Sequence, residues 1–145
     1  MAIEQTLFRF LRFCLVGGSG VFVDMAVLFL LSDTHTLGLN LSLGKACAAE
    51  VAILNNFIWN DLWTFRDLRE IDTGRQAAIH RFARFNLICL AGIVLNVILL
   101  NAQVRFLHLD VYAANLIAIF LVSVWNFGMN IRFGWCASFP PRHST

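Results

Sequence analysis

The sequence predicts an all-α membrane protein of four transmembrane helices, arranged as two parallel copies of a two-helix hairpin. Three observations lead there. Apolar residues make up 59% of the 145 residues and charged residues only 14%, with a mean hydropathy of +0.70; soluble domains sit near half apolar and a quarter charged. The apolar residues gather in four stretches, each close to the roughly 20 residues that carry a helix across the hydrocarbon core. Two short motifs then recur at nearly equal spacing along the chain. A chain of this length cannot enclose so much apolar surface in one core, so a bilayer must serve as its solvent. Stretches this long and non-alternating are helices and not barrel strands.

The first stretch runs from about Leu11 to Leu31. It is longer than the core of a signal peptide and ends without a small-residue cleavage site, so it is expected to be retained. The second runs from about Leu43 to Trp63, the third from Phe85 to Val104, and the fourth from Val111 to Ile131. Short, weakly charged loops close each hairpin. A polar, charged linker, about 64–84, joins the halves of what is expected to be a single membrane domain over residues 1–145. Of the 11 Lys and Arg residues, all but Lys45 and Arg105 lie at one end of the spans: Arg9 and Arg12, then Arg66, Arg69, Arg75, Arg81 and Arg84, then Arg132 and Arg142. The positive-inside rule places both termini and the linker in the cytoplasm. The net charge of +2 carries no further information.

The internal repeat comprises about 9–66 and about 81–135. Arg9-Phe10-Leu11-Arg12-Phe13 is echoed 72 residues later by Arg81-Phe82-Ala83-Arg84-Phe85, with Leu15 meeting Leu87, Gly20 meeting Gly92 and Asp24 meeting Asn96. In the second helices the offset is 70: Asn56-Phe57 and Asn60 meet Asn126-Phe127 and Asn130, and Trp63 meets Phe133. Each unit has two helices, so both copies insert in the same sense. Paired repeats are frequent in transport folds, whose sites form between them.

Polar residues inside the apolar stretches are the candidate functional groups, because a mid-bilayer charge costs about 2.5–3.5 kcal/mol even on lenient scales. Asp24 lies centrally in span one, and Glu50 lies in span two, with Lys45 near enough along the helix for a local pair. Asp61, near the end of span two, is expected to meet water. Lys45, Ala49, Ala52, Asn56 and Asn60 share one helical face, as do Asn115, Ile119, Val122, Asn126 and Asn130. Interhelical hydrogen bonding is the structural alternative for these asparagines. Around them lies a basic and aromatic ring of Arg9, Arg12, Arg66, Arg81, Arg84 and Arg132 with Trp59, Trp63, Trp125 and Trp135. Interface anchoring explains part of it; a guanidinium at headgroup level also suits a lipid phosphate.

Other chemistries find no footing. Cys14, Cys47, Cys89 and Cys136 form no CxxC pair, and His35, His80, His108 and His143 do not cluster, so neither a metal nor a cofactor is expected. Gly17, Gly18 and Gly20 lack the strand a phosphate loop requires and read as helix-packing residues. No nucleophile–histidine–acid set is present, and neither enzymatic activity nor nucleic-acid binding is expected.

The chain resembles the GtrA-like family of small bacterial membrane proteins. The resemblance rests on R-F-x-x-F-x-x-V-G-G-x-G-x-x-x-D from Arg9 to Asp24, on N-F-x-x-N-x-x-W-T-F-R from Asn56 to Arg66, and on the echo from Asn126 to Phe133. The second copy departs from the first, with Asn96 for Asp24 and Phe120 for Glu50. The resemblance implies a multi-pass protein of the bacterial cytoplasmic (inner) membrane that moves polyprenyl-phosphate-linked sugars for cell-surface polysaccharide synthesis beside a glycosyltransferase. The leading expectation is therefore a flippase for undecaprenyl phosphate or its monosaccharide conjugate. Its headgroup would meet Arg12, Arg66, Arg84, Arg132 and Trp63, then Asn56, Asn60, Asn126 and Asn130, then Asp24, Lys45 and Glu50. Four helices offer little volume around a headgroup, so a homodimer or partner complex is expected. The alternatives are a non-transporting scaffold that anchors the glycosyltransferase through the linker, tested by changing Arg69 to Arg75, and a proton-coupled small-molecule exporter.

Overall fold

The computed structural model describes residues 3–68 and 74–135, and among them every regular element is helical. The chain separates into two compact units, Met1–Asp67 and Leu68–Thr145. The first holds α1 (Ile3–Ser32) and α2 (Leu41–Trp59), which continues as a π-helical turn over Asn60–Thr64; a short 3₁₀ segment over Arg66–Leu68 ends it and reaches the boundary with the second. The second holds α3 (Arg75–Phe106) and α4 (Val111–Met129), continued by a π-helical segment over Asn130–Trp135.

Three helices, Ile3–Ser32, Arg75–Phe106 and Val111–Trp135, are long and apolar enough to cross a membrane. α2 is a fourth helix whose 19 residues include Lys45, Glu50, Asn55 and Asn56, and these dilute its hydropathy. Large apolar side chains such as Leu15, Phe22, Leu87, Ile98 and Leu116 stand more than half exposed. Water would not tolerate that surface, whereas lipid does.

Both long first helices start earlier than the apolar runs suggest. α1 begins at Ile3 and α3 at Arg75, so Arg9, Arg12, Arg81 and Arg84 are helical residues and not loop residues. The stretch Gln76-Ala77-Ala78-Ile79 is rich in good helix formers, and it shortens the predicted linker of 64–84 from its C-terminal side. Arg69 lies outside the described residues, as do Cys136, Arg142 and His143.

Matching caps start the second helices. Asn40 accepts from the backbone N–H groups of Ser42 (3.0 Å) and Leu43 (3.4 Å), and Asp110 from those of Tyr112 (3.0 Å) and Ala113 (3.2 Å); such caps are worth about 1 kcal/mol. In the first unit the turn before Asn40 needs Gly38, whose φ of 58° is left-handed. The helices of each unit meet through small residues. A Cβ on Gly20 would lie 2.8 Å from Cγ of Asn56, and one on Gly92 would lie 2.6 Å from Oδ1 of Asn126. Close backbone approach at glycine is the usual basis of helix association where the solvent is itself apolar. Gly17 and Gly18, by contrast, face open space, so the packing role expected for G-G-x-G belongs to its last glycine.

Beyond α2 the chain returns over α1. The Phe65 N–H reaches back five residues to the Asn60 carbonyl at 2.8 Å, and Phe65 is fully buried, its ring 6.1 Å from that of Phe13. The second unit has the same anchor: Trp135 is 1% exposed and its ring lies 6.1 Å from that of Phe85.

Candidate functional site

The first unit contains a cavity of 750 Å³ where the start of α1 meets the π-helical turn. α1 contributes Gln5, Phe8, Arg9 and Arg12, spaced at three and four residues and hence on one face. The turn and the 3₁₀ segment contribute Leu62, Trp63, Thr64, Arg66 and Asp67. A π turn interrupts the regular α-helical ladder and is often found where a side chain must be re-aimed. Here it lets the backbone swing round so that residues 58 apart in sequence pair: Nη2 of the buried Arg9 donates to Oδ2 of Asp67.

The other groups are arranged around that pair. The Arg12 guanidinium lies 5.4 Å from the centroid of the Trp63 ring, a cation–π contact that fixes a flexible arm. Arg66 is exposed at the rim. Thr64 is 1% exposed and its Oγ1 has no hydrogen-bond partner among the described residues. A buried hydroxyl lacking a partner costs about 1–3 kcal/mol.

The cavity opens into apolar surface. A neighbouring groove of 580 Å³ is lined by Leu15, Val16, Ser19, Trp59, Leu62 and Trp63, so Leu62 and Trp63 belong to both. A further groove of 570 Å³ along Leu11, Cys14 and Phe22 shares Leu15 and Ser19 with the first. A cationic cavity thus adjoins apolar grooves and shares Leu62 and Trp63 with one of them, an arrangement that suits an amphiphile with an anionic head.

The second unit, among its described residues, has an apolar groove. Its groove of 340 Å³ is lined by Arg84, Leu87, Ile88, Ala91, Trp125, Met129 and Phe133. Leu87, Ile88, Ala91, Met129 and Phe133 stand at the positions of Leu15, Val16, Ser19, Trp59 and Trp63. Arg84 donates to the Phe133 carbonyl at 3.4 Å and Arg132 lies 5.7 Å from the Phe133 ring centroid.

The predicted site residues therefore divide. Arg12, Trp63 and Arg66 line one cavity. Asn56 lies against Gly20, and Asn60, 1% exposed, begins the π turn. Asn126 lies against Gly92, and Asn130 donates from Nδ2 to the Asn126 carbonyl at 2.8 Å, within its own helix. The Oδ1 atoms of Asn56, Asn60, Asn126 and Asn130 have no partner among the described residues, so the interhelical bonds considered for them are not made at those atoms. Lys45 pairs with Asp24 at 2.5 Å across the helices and not with Glu50 along its own; five residues on a helix turn about 140° apart. Glu50 is exposed. Twelve residues separate Arg12 from Asp24, about 18 Å of helix, so the Asp24–Lys45 pair stands well away from the cavity. Asp61, expected to meet water, is 7% exposed.

Gln5, Phe8, Thr64 and Asp67 were not legible as site residues, and Arg9 reads from sequence as one more member of the ring. The signal that could have found Arg9 and Asp67 is the loss of the acid in the second copy. Asp67 corresponds to Ala137, which lies outside the described residues.

Comparison with known proteins agrees with this architecture. The model of the GtrA/DPMS transmembrane domain matches residues 12–135. A dolichol-phosphate mannosyltransferase of Pyrococcus furiosus is 33% identical over 135 residues, covering 93% of this chain and 36% of that protein. YngA, an uncharacterized membrane protein of Bacillus subtilis, is 36% identical over 76 residues, covering 52% of this chain and 47% of that protein. The chain thus spans between a third and a half of the length of these curated relatives.

Proposed function

The chain belongs to the GtrA/DPMS transmembrane-domain family, and on that premise we propose that it binds a polyprenyl phosphate or its monosaccharide conjugate in the first hairpin and carries the headgroup across the cytoplasmic membrane of a bacterium, in cell-surface polysaccharide synthesis. In this reading α2 is the fourth span, the hairpins are parallel copies of one unit, and both termini face the cytoplasm. The chain itself is not an enzyme. It works as a homodimer or beside a membrane glycosyltransferase that loads the lipid.

One observation carries the proposal: the arginine-lined cavity shares Leu62 and Trp63 with an apolar groove. Arginine offers a planar donor fork to phosphate, and charge-assisted hydrogen bonds of this kind are worth about 1.5–3 kcal/mol each. The groove would hold the first isoprene units, while the rest of the tail stays in lipid. Thr64, Asn60 and Asn56 extend a file of buried acceptor oxygens from the cavity at four-residue spacing, leading along the helix towards the Asp24–Lys45 pair. This file supports a polar track for a sugar or phosphate.

Proteoliposomes made with fluorescent polyprenyl phosphate test the proposal. The wild-type chain should equilibrate the lipid between leaflets, and Asn56→Ala should slow this at least tenfold with folding intact. A wild-type chain that neither binds nor moves polyprenyl phosphate would remove it.

A second reading is a non-transporting anchor for a glycosyltransferase. The mannosyltransferase relative favours it, because this chain matches only 36% of that protein, as a membrane domain joined to a catalytic one would. The anchor reading predicts that changes from Arg69 to Arg75 abolish function while changes at Asn56 do not. The exporter reading gains nothing from the ion pair, which leaves Asp24 engaged by Lys45.

A further inference from the structure

Glu50 lies outside the cavity, and its surroundings call for a partner. It is the middle residue of the 19 in α2, about 13 Å of helix from either end. Its side chain is exposed and makes no ion pair or hydrogen bond among the described residues. Lys45, the nearest cation along the helix, is engaged by Asp24. With α2 as the fourth span, this carboxyl group faces hydrocarbon. Such an exposure is costly, and a glutamate is too short to snorkel to either headgroup layer. A polar group from outside the hairpin must cover it.

The residues around Glu50 describe the surface that such a partner would meet. Leu43, Cys47, Glu50 and Leu54 follow one another at spacings of four, three and four, and all four are exposed, Leu43 at 56% and Leu54 at 46%. That spacing forms a seam along which two helices pack at a shallow left-handed crossing. Gly44, Ala48 and Ala52, the small residues buried within the hairpin, lie on another side of α2. The matching seam of α4 is Ala113, Ile117, Phe120 and Val124, also exposed but apolar throughout, and lipid alone satisfies it. The α2 seam is distinguished by its acid.

We propose that the α2 seam is the contact between two copies of this chain, paired in parallel about a two-fold axis along the membrane normal, with Glu50 against the Glu50 of the second copy. Copies of one chain insert in the same sense, so each seam residue meets its own counterpart across the axis. A carboxyl group that keeps its proton both donates and accepts. Two of them therefore satisfy one another where two carboxylates would repel. Leu43 and Leu54 pack on either side, and Cys47, one turn from Glu50, faces the Cys47 of the second copy. The inference deepens the homodimer of the proposed function by giving it a surface, and it rests on α2 crossing the membrane.

Cross-linking of the full chain in proteoliposomes provides the test, with Cys47 as the only cysteine after the other three are changed to alanine. Mild oxidation should yield a disulfide-linked species of twice the chain's mass, and little or none when the only cysteine is Ile117→Cys in the matching seam of α4. Glu50→Leu should cut the Cys47 product about tenfold, while Glu50→Gln, whose amide also donates and accepts, keeps it. Glu50→Phe, the residue of α4 at this position, replaces Glu50→Leu if the latter does not fold. Loss of folding in both makes Glu50 a structural residue of the hairpin and overturns the proposal. Equal products from Cys47 and Ile117→Cys, or a Cys47 product that survives Glu50→Leu, overturn it as well. Movement of polyprenyl phosphate by a chain that stays monomeric in the same vesicles overturns this inference and leaves the function standing. A Leu54→Cys chain that reacts with a membrane-impermeant maleimide as fast as Thr34→Cys, in the exposed turn after α1, would place α2 outside the membrane and overturn both.

Discussion

Set side by side, the two hairpins bury many matching positions. Val16, Gly20, Gly44, Ala48, Ala52 and Phe57 are buried in the first. Ile88, Gly92, Ala114, Ala118, Val122 and Phe127 are buried in the second. The former pair with the latter at offsets of 72 and 70, as do the Phe65 and Trp135 anchors. Polar positions tell another story. Where the first hairpin has Asp24 with Lys45, the second has Asn96 and Asn115; where the first has Thr64, Arg66 and Asp67, the second has Gly134, Cys136 and Ala137. Packing constrains shape and volume, so burial is kept at these positions. The hairpins therefore differ at these polar positions more than at the buried ones.

The sharpest way to break it is to remove arginines from each hairpin in turn. Arg12→Ala with Arg66→Ala should weaken polyprenyl monophosphate binding by 100-fold or more, since two charge-assisted contacts of about 1.5–3 kcal/mol are lost. Arg84→Ala with Arg132→Ala should change it less than threefold. Isotherms in nanodiscs read both, and equal losses would mean that the second hairpin is a headgroup site too.

A smaller effect, equal in both halves, is expected at the helix contacts. Gly20→Ala and Gly92→Ala each place a methyl group against an asparagine side chain, and overpacking of this kind costs about 1–3 kcal/mol. Detergent-induced unfolding followed by circular dichroism should give similar shifts for the two. A marked difference would show that the hairpins share positions but not tolerances.

The smallest effect comes from converting the first hairpin's ion pair to the second's amides. Asp24→Asn alone leaves Lys45 without its carboxylate. Asp24→Asn with Lys45→Asn recreates the pattern at Asn96 and Asn115, and should cost under about 1 kcal/mol, less than the single change. The Lys45 side chain is 54% exposed, which limits what the pair contributes. The same unfolding assay checks it through a double-mutant cycle.

Much of the fold was legible because apolar runs act locally: three helices emerge long and apolar where the runs lie, whereas the caps Asn40 and Asp110 emerge only in the structure. The helices begin before the apolar runs because hydropathy marks where a helix enters lipid, not where its hydrogen bonds begin. The site was half legible. Arg12, Trp63 and Arg66 announce themselves as cations and an aromatic at a basic end. The Arg9–Asp67 pair depends on a chain reversal that no local pattern encodes. Lys45 was free by spacing to seek either acid, and only the helix–helix approach selects Asp24.

The π-helical turns at Asn60–Thr64 and Asn130–Trp135 bring a consequence of their own. Each loop of a π turn takes in one residue more than an α-helical loop, so everything after it is out of phase with the helix before it by about one residue, or 100°. Trp63 and Thr64 owe their aim to that lag. Deleting a single residue there would let α2 run on in phase and rotate the cavity wall away from α1, with every side chain still present. For such a wall the unit of change is the insertion or deletion, a step that substitutions cannot imitate, and it offers a route by which one hairpin could gain or lose a binding chamber at a stroke.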